Sequence, residues 1–216
     1  MNSRIGAGRV LAALALACAA AAHGAAPSAQ QILAASDEVR NPAKPFSVVI
    51  TLTEYRSSKQ TDSNTLAVLS KADTVSGQYR SLVRFVAPAR DANKLMLKNG
   101  NDLWFFDPSS QASIRLSPQQ RLLGQAANGD VVTANLSLDY KAQLIGEEDL
   151  MDGERVSRHS YKLALAAASP DVTYDHIEMW VDTTSSRTIK ARFYAERGRL
   201  LKTAYYRKFA MHLGRE

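Results

Sequence analysis

The sequence contains a single cysteine, Cys18, among its 216 residues. It lies in an N-terminal stretch where Arg4 and Arg9 are followed by an uncharged apolar run and then by small residues. This arrangement is typical of a secretory signal peptide over residues 1–24, with cleavage expected after Gly24. Cleavage there removes the cysteine, which excludes disulfides and thiol chemistry from the remaining domain, residues 25–216.

Cys18 also allows a second interpretation, in which it becomes the lipid-bearing first residue of a lipoprotein. Ala15 argues against it, because lipoprotein signals favour leucine three residues before the cysteine. The apolar run is too short to span a membrane. We therefore expect an exported protein, and the formal charge falls from +6 to +4 because two arginines are removed. Such mild basicity fits contact with anionic membrane surfaces or an acidic partner, and nucleic acid is not an expected partner.

Catalytic and metal-binding motifs are missing as well. The sequence has no G-x-S-x-G elbow, no Walker phosphate loop and no H-E-x-x-H pair. The only histidines after the signal are His159, His176 and His212, and no third ligand follows at a defined spacing. The acidic run at residues 147–149 cannot converge on one point, because consecutive strand residues face opposite sides. These absences indicate neither a catalytic nor a metal site.

One stretch stands out among the features that are present. Two apolar runs, residues 95–97 and 103–106, flank the dipeptide Asn99-Gly100, whose residues readily take the positive φ of a tight turn. This pattern predicts a β-hairpin. Three consecutive aromatic residues end the second run, so both faces of the sheet there carry apolar side chains that need cover.

The rest of the chain is dominated by alternating apolar and polar residues, which is the period of β-strands. Ser28 is a candidate N-cap for one amphipathic helix, which Asn41 and Pro42 should end. There is no regular alternation of strand and helix, which excludes a parallel α/β sheet. We predict a mainly β (α+β) protein with a single curved antiparallel sheet of about eleven strands. The expected strands are residues 46–53, 66–71, 78–86, 95–97, 103–106, 112–116, 140–148, 155–167, 174–182, 188–196 and 199–209.

Between the two groups of strands, Ser117-Pro118 predicts the start of a short helix at residues 119–123, and a second short helix is expected over residues 130–138. The residues between them, Gly124, Asn128 and Gly129, are natural hinges. If these helices are a mobile cover, the space beneath suits an acyl chain, whose burial is worth ~0.8 kcal/mol per CH₂. The alternative is a closed core with no ligand.

The predicted cavity has walls from the sheet and from the cover. The candidate residues of the sheet are Leu82, Phe85, Leu95, Leu97, Leu103, Trp104 and Phe106. Those of the cover are Leu122, Leu123, Val131, Val132 and Leu136.

The order of these elements, with the segment Arg90-Asp91 before the hairpin, the run from Asp102 through Trp104 to Pro108, and the continuation to Ser117, resembles the outer-membrane lipoprotein-sorting proteins of the LolA-like superfamily. The resemblance covers nearly all of the chain after the signal. It implies a half-open β-barrel with short helices as a lid, an apolar cavity, no enzyme activity and no cofactor.

The resemblance also implies a role. The protein would be a monomeric periplasmic chaperone that binds the acyl chains of a lipoprotein or lipid and serves outer-membrane biogenesis. An inner-membrane exporter of the resistance-nodulation-division type is the expected donor, and the outer-membrane acceptor is left open. Arg84 and Arg90 are the two candidates for an arginine that contacts the lid. The alternative is a lipid-sensing regulator of an envelope-stress pathway, which would use the same fold and signal through a protein partner.

Overall fold

The computed structural model describes residues 26–211. The expected signal peptide and His212 lie outside this range. The chain opens with helix α1, Ala29–Arg40, whose start is fixed by a reciprocal cap. The Ser28 amide donates to Gln31 Oε1 at 2.8 Å, and the Gln31 amide donates to Ser28 Oγ at 3.3 Å. Asn41 is the C-cap, so the predicted helix and both of its ends are confirmed.

The predicted eleven long strands are confirmed, and they form an open antiparallel architecture divided into sheets of six and five strands. The first sheet has the order β1-β2-β3-β4-β5-β6 and the second has the order β13-β12-β11-β10-β9. The strands therefore do not pair continuously, whereas a single sheet was predicted. The first sheet comprises β1 (Phe46–Arg56), β2 (Lys59–Ala72), β3 (Tyr79–Ala87), β4 (Leu95–Asn99), β5 (Asp102–Asp107) and β6 (Ala112–Leu116). The second comprises β9 (Tyr140–Met151), β10 (Ser157–Ala167), β11 (His176–Asp182), β12 (Thr188–Ala195) and β13 (Arg199–Tyr205).

The central hairpin is formed by β4 and β5, as predicted. Asn99 pairs with Asp102, and the turn between them is closed by Gly100 at φ +60°. That backbone conformation is available to glycine without steric cost. The hairpin therefore fixes which side chains of β4 and β5 share a face.

The register of the first sheet separates two faces clearly. On the inner face, Val68, Val83 and Met96 lie opposite one another on β2, β3 and β4, and all three are buried. On the outer face, Leu82 and Leu97 are paired in the same way and remain exposed. The inner face packs its own apolar cluster, which includes Val131 and Val132 from the connection between the two sheets.

The second sheet packs against α1. Leu33 of α1 is fully buried in a cluster with Leu163 and Leu165 of β10 and Ile177 of β11. This cluster also includes Leu136 from the connection between the sheets. Burial on this scale is the main stabilising term for each half of the molecule.

The connection itself, residues 117–139, is called the linking segment. It is not the predicted pair of helices. Residues 121–127 form a small hairpin, β7 (Arg121–Leu123) with β8 (Ala126–Ala127). A 3₁₀ turn, Asn128–Asp130, and a one-turn helix α2, Leu136–Asp139, follow it.

Long-range hydrogen bonds explain the missing first helix. The carbonyl groups of Pro118 and Gln120 would accept bonds from residues 122 and 124 in a helix. They instead accept from the amides of Gly129 and Asn128, both at 2.9 Å. The turn of the β7–β8 hairpin also places Gly124 at φ +56°, which a helix does not allow.

The acidic run at residues 147–149 is split by strand alternation, as predicted. Glu147 and Asp149 both contact the ring of His159, at 2.9 Å and 2.8 Å. Glu148 points the other way and accepts a hydrogen bond from the indole nitrogen of Trp180. The three acidic residues therefore serve two separate surface clusters.

We expect the His159 ring in the folded protein to titrate above its ordinary pKa of 6.5, because Asp149 and then Glu147 accept hydrogen bonds from the protonated ring. A raised folded-state pKa means that this contribution to stability is fully present below pH 6.5 and is lost as the pH rises through the raised value. NMR titration of the ring protons measures the pKa of His159 in the wild type and in a Glu147→Gln, Asp149→Asn double variant. Equal midpoints in the two proteins would contradict the assignment.

Candidate functional site

A cavity of about 380 Å³ lies between the two sheets, beneath the linking segment. This volume falls within the range of ligand-binding pockets, although near its lower end. The wall on the first sheet is formed by inward-facing residues: Phe46, Val48 and Ile50 of β1, Val68 of β2 and Leu103 of β5. Val48 is 43% exposed although it faces inward, so its side chain is open to the cavity.

The remaining apolar wall comes from two other parts of the chain. The linking segment contributes Val131, Val132 and Leu136. The second sheet contributes Ile177, Met179 and Phe193. Because aliphatic and aromatic groups line opposite sides, the cavity suits an apolar ligand better than a polar one.

Part of the cavity wall is polar. Lys98 of β4 faces inward, and its ammonium lies 3.4 Å from the Tyr79 carbonyl oxygen. Burial lowers the pKa of Lys98, and burial raises the pKa of Asp139 in α2. The Asp139 carboxylate accepts a hydrogen bond from Gln78 Nε2 at 2.8 Å. The cavity is therefore amphipathic, because charged side chains share its wall with the apolar ones.

The linking segment is held from one side by α1. The Ser137 amide donates to Asp37 Oδ2 at 2.7 Å, and Gln30 Nε2 donates to the Ser137 carbonyl oxygen at 2.6 Å. The Ala134 carbonyl oxygen accepts from Arg40 at 3.0 Å and from Asn41 at 2.9 Å. Burial raises the pKa of Asp37, against the opposing effect of Arg40 beside it. These polar contacts add to the burial of Leu136 in the cluster that contains Leu33, whereas each sheet is held by continuous strand pairing.

The second sheet holds the linking segment from the other side. Asp130 accepts hydrogen bonds from the Tyr174 hydroxyl at 2.8 Å and from the Lys202 ammonium. Lys202 also lies over the rings of Tyr174 and Phe193, 5.0 Å and 4.8 Å from their centroids. Burial, with the negative charge of Asp130 added, raises the pKa of Tyr174 well above its usual range. Tyr174 therefore stays a neutral hydrogen-bond donor to the linking segment.

Four of the twelve sequence-predicted cavity residues line this cavity, namely Leu103, Val131, Val132 and Leu136. Phe85 is buried in the cluster of the first sheet, and Leu122 packs against that cluster. Leu123 is half-buried in the β7–β8 hairpin. None of these last three borders the cavity.

The other five predicted residues lie on the outer face of the first sheet. Leu82, Leu97 and Trp104 are exposed there, and Leu95 and Phe106 occupy outward positions where they are half-buried. Their placement in the cavity was wrong, because every second residue of a strand faces away from it. The residues missed in their place include Val48 and Ile50, whose alternating pattern already indicated one apolar face of β1.

Neither arginine candidate contacts the linking segment. Arg84 is exposed on the outer face of β3. Arg90 forms ion pairs with Asp62 at 3.0 Å and with Asp91 at 3.4 Å. Arg40 does contact the segment. The sequence feature that could have identified it is its position three residues after Asp37, which places both side chains on the same side of α1.

The proposed hinge residues also have defined places. Gly124 closes the β7–β8 turn with its positive φ. Asn128 and Gly129 are buried in the 3₁₀ turn. Within residues 26–211, no group of three or more His, Asp or Glu side chains is arranged to hold a metal ion. Over the same range, no helix has the length and apolar character needed to cross a membrane.

Known proteins share this geometry. A family model described as an uncharacterized protein matches residues 77–216. A LolA superfamily protein from Nitrosomonas europaea is 39% identical, and the match covers 88% of this chain and 82% of that protein with a TM-score of 0.76. None of the curated proteins matches the chain significantly.

Two structures of lower identity share the fold. A DUF1329 family protein from Desulfovibrio piger is 20% identical, with 86% of this chain and 80% of that protein covered and a TM-score of 0.72. An outer membrane lipoprotein-sorting protein domain from Vibrio parahaemolyticus is 15% identical, with 85% and 80% covered and a TM-score of 0.70. At these identities the likeness concerns the arrangement of the strands.

Proposed function

This chain belongs to the LolA superfamily, and from that premise we propose that it is a periplasmic carrier that holds the acyl chains of a lipoprotein or lipid in its cavity. The observation that carries the proposal is the apolar cavity between two separate sheets, covered by a segment with little regular structure. Transfer of an acyl chain from water into such a site is favourable by ~0.8 kcal/mol for each buried CH₂ group. Binding of this kind needs no catalytic group, and we propose none.

Entry of cargo requires a part of the wall to move, and the linking segment is the natural candidate. Asp37 accepts a hydrogen bond from it and Arg40 donates one to it, and its own Asp130 accepts one from Tyr174; such bonds can break and reform individually. Outward movement also exposes Val131, Val132 and Leu136, which are buried in the two apolar clusters. The sheets are cooperative units and resist such opening. In the proposed cycle the segment moves outward when cargo enters and returns when cargo is delivered. An inner-membrane exporter as donor and an outer-membrane acceptor complete the route.

The test uses two neighbouring valines of β1. Val48 faces the cavity and Val49 faces outward, and both are exposed enough for a charge to be tolerated by the fold. We expect Val48→Asp to bind lysophospholipid at least about tenfold more weakly than the wild type, because a carboxylate in the wall must be desolvated against the chain. Val49→Asp is the matched control and should bind normally. Native mass spectrometry and fluorescent-lipid titration give the affinities.

The lipid is supplied from solution, so loading does not depend on a membrane. Protein purified from its own periplasm, with lipid extraction, identifies the cargo. A protein that arrives empty and ignores both added phospholipid and acylated peptide would contradict the carrier function and favour a closed domain. Lipid that is bound but never passed to acceptor vesicles would contradict transport and favour a lipid sensor.

A further inference from the structure

The outer face of the first sheet carries an exposed apolar row. Leu69, Leu82, Leu97 and Trp104 lie directly opposite one another on β2, β3, β4 and β5. Their exposed fractions are 53%, 37%, 47% and 43%. Four large apolar side chains in one row across four strands form a continuous patch, which is unlike the scattered single residues of an ordinary protein surface.

The same face is basic. The outward positions that flank the row carry Lys71, Arg80, Arg84 and Arg115. Outward positions of this face carry one carboxylate, Asp102, within residues 67–71, 80–86, 95–99, 102–106 and 113–115. Arg115 pairs with Asp102 and Arg80 pairs with Asp73 of the following turn, both at 2.6 Å. Among the described residues, Lys71 and Arg84 form no ion pair within 4.0 Å. Two cations beside the row therefore have no internal counter-ion.

This combination points to one kind of occupant. Two copies of the chain meeting through this face would bring Lys71 and Arg84 close to the same cations of the other copy, which like-charge repulsion opposes. Binding of an anionic partner is favoured both by burial of the apolar row and by electrostatic attraction to Lys71 and Arg84. Phospholipid surfaces with anionic headgroups offer this pairing, since apolar and aromatic side chains enter the interface while lysine and arginine attract the headgroups.

We propose that the outer face of β2–β5, centred on Leu97 and Trp104, docks the protein on bilayers that contain anionic phospholipid. Docking would place the carrier where it can exchange cargo. Only this role in cargo exchange rests on the proposed function, and the docking itself does not. The docking face and the cavity lie on opposite sides of the same sheet, because Leu97 faces outward and the preceding residue, Met96, faces inward. Each can therefore be changed without altering the other.

The test is co-sedimentation of the delipidated protein with phosphatidylcholine vesicles, with and without phosphatidylglycerol. We expect binding to the anionic vesicles that weakens with added salt. Arg84→Glu should weaken it at least about fivefold, since each cation near such a surface contributes about 1 kcal/mol. Leu97→Ser with Trp104→Ser should weaken it further by removing the apolar contact. Arg199→Glu and Leu200→Ser on β13 are matched controls that should bind normally.

Several outcomes would overturn the proposal. The variants of the outer face could bind as the wild type does, or neutral and anionic vesicles could bind equally. A dimer in sedimentation equilibrium that is lost with Leu97→Ser and Trp104→Ser would make the face a self-interface. Because the protein carries no cargo in this experiment, failure to dock leaves the lipid-loading result of Val48→Asp unaffected, and the two proposals fail separately.

Discussion

Replacing Leu33 by alanine is expected to lower the free energy of unfolding by about 2–5 kcal/mol. Leu33 has no solvent exposure and joins α1 to the cluster of the second sheet that contains Leu163, Leu165 and Ile177. Truncation removes three carbon atoms and leaves a space that the strand-bound neighbours cannot fill. Urea unfolding followed by circular dichroism measures the change.

The Leu33 variant should also loosen the linking segment. Asp37 and Arg40 follow Leu33 on the same helix, and both bind the segment directly. A displaced α1 moves these partners, so amide exchange should increase at Ser137 before it increases in the sheets. Leu200→Ala on β13 is the matched control, since the same atoms are lost from a site that is 49% exposed, and it should cost about 0.5 kcal/mol or less. Equal losses in the two variants would show that α1 does not anchor the domain.

The strands were predictable because their signal is local. Alternation along β1 and the Asn99-Gly100 turn of the hairpin depend on residues that are adjacent in sequence. The capping pair Ser28 and Gln31 is local in the same way. These features were sufficient to predict the order of the long strands, whereas the division of those strands into two sheets depends on contacts across the whole molecule.

The choice of face was not predictable from apolar content alone. β3 to β5 carry large apolar side chains on both faces, and a shift of one residue exchanges the two sets. On β3 the sequence did indicate the outer face. Leu82 lies between Arg80 and Arg84 at a spacing of two, and residues two apart on a strand share a face, so the two arginines place Leu82 on the solvent side. On β4 the signal misleads, since Lys98 faces inward with Met96. That lysine lines the cavity, and its inward position departs from the usual pattern of charged residues on the solvent face.

The linking segment shows how a local helix signal is overridden. Ser117-Pro118 is a good helix start, yet the carbonyl group of Pro118 bonds to Gly129, eleven positions along the chain. Further on, Ala134 is bound by Arg40 and Asn41, which are more than ninety positions away. No window of sequence contains both partners. The part of the cavity wall that the second sheet supplies was missed for the same reason.

The linking segment also supplies the second large effect, at Gly129. A Cβ added there would lie 2.0 Å from Thr173 Oγ1 and 2.8 Å from Thr173 Cγ2, far inside contact distance. The glycine cannot withdraw easily, because its amide donates to the Pro118 carbonyl oxygen at 2.9 Å. We expect Gly129→Ala to lower the free energy of unfolding by about 1–3 kcal/mol through overpacking, as measured by chemical denaturation.

We attribute the loss of stability in Gly129→Ala to the clash with Thr173 and not to the replacement of a glycine as such. The variant Gly146→Ala tests this point. Gly146 of β9 has open space where an added Cβ would lie and no positive φ, so alanine there should stabilise the protein by about 0.4–1 kcal/mol, the opposite sign. Thr173→Ala should restore a large part of the stability lost in Gly129→Ala, because it removes the two closest atoms and leaves only a contact of 2.9 Å. If the double variant is as unstable as the sum of the single ones, the clash with Thr173 is not the reason.

Gly129 and Thr173 both line the cavity, so this pair connects stability with cargo binding. When the clash forces the linking segment away from the loop between β10 and β11, the wall opens at that point. Lysophospholipid should then bind Gly129→Ala more weakly and leave it faster, whereas Gly146→Ala should bind as the wild type does. Restored binding in the double variant with Thr173→Ala would show that the position of the linking segment, rather than the chemistry of either residue, controls access to the cavity.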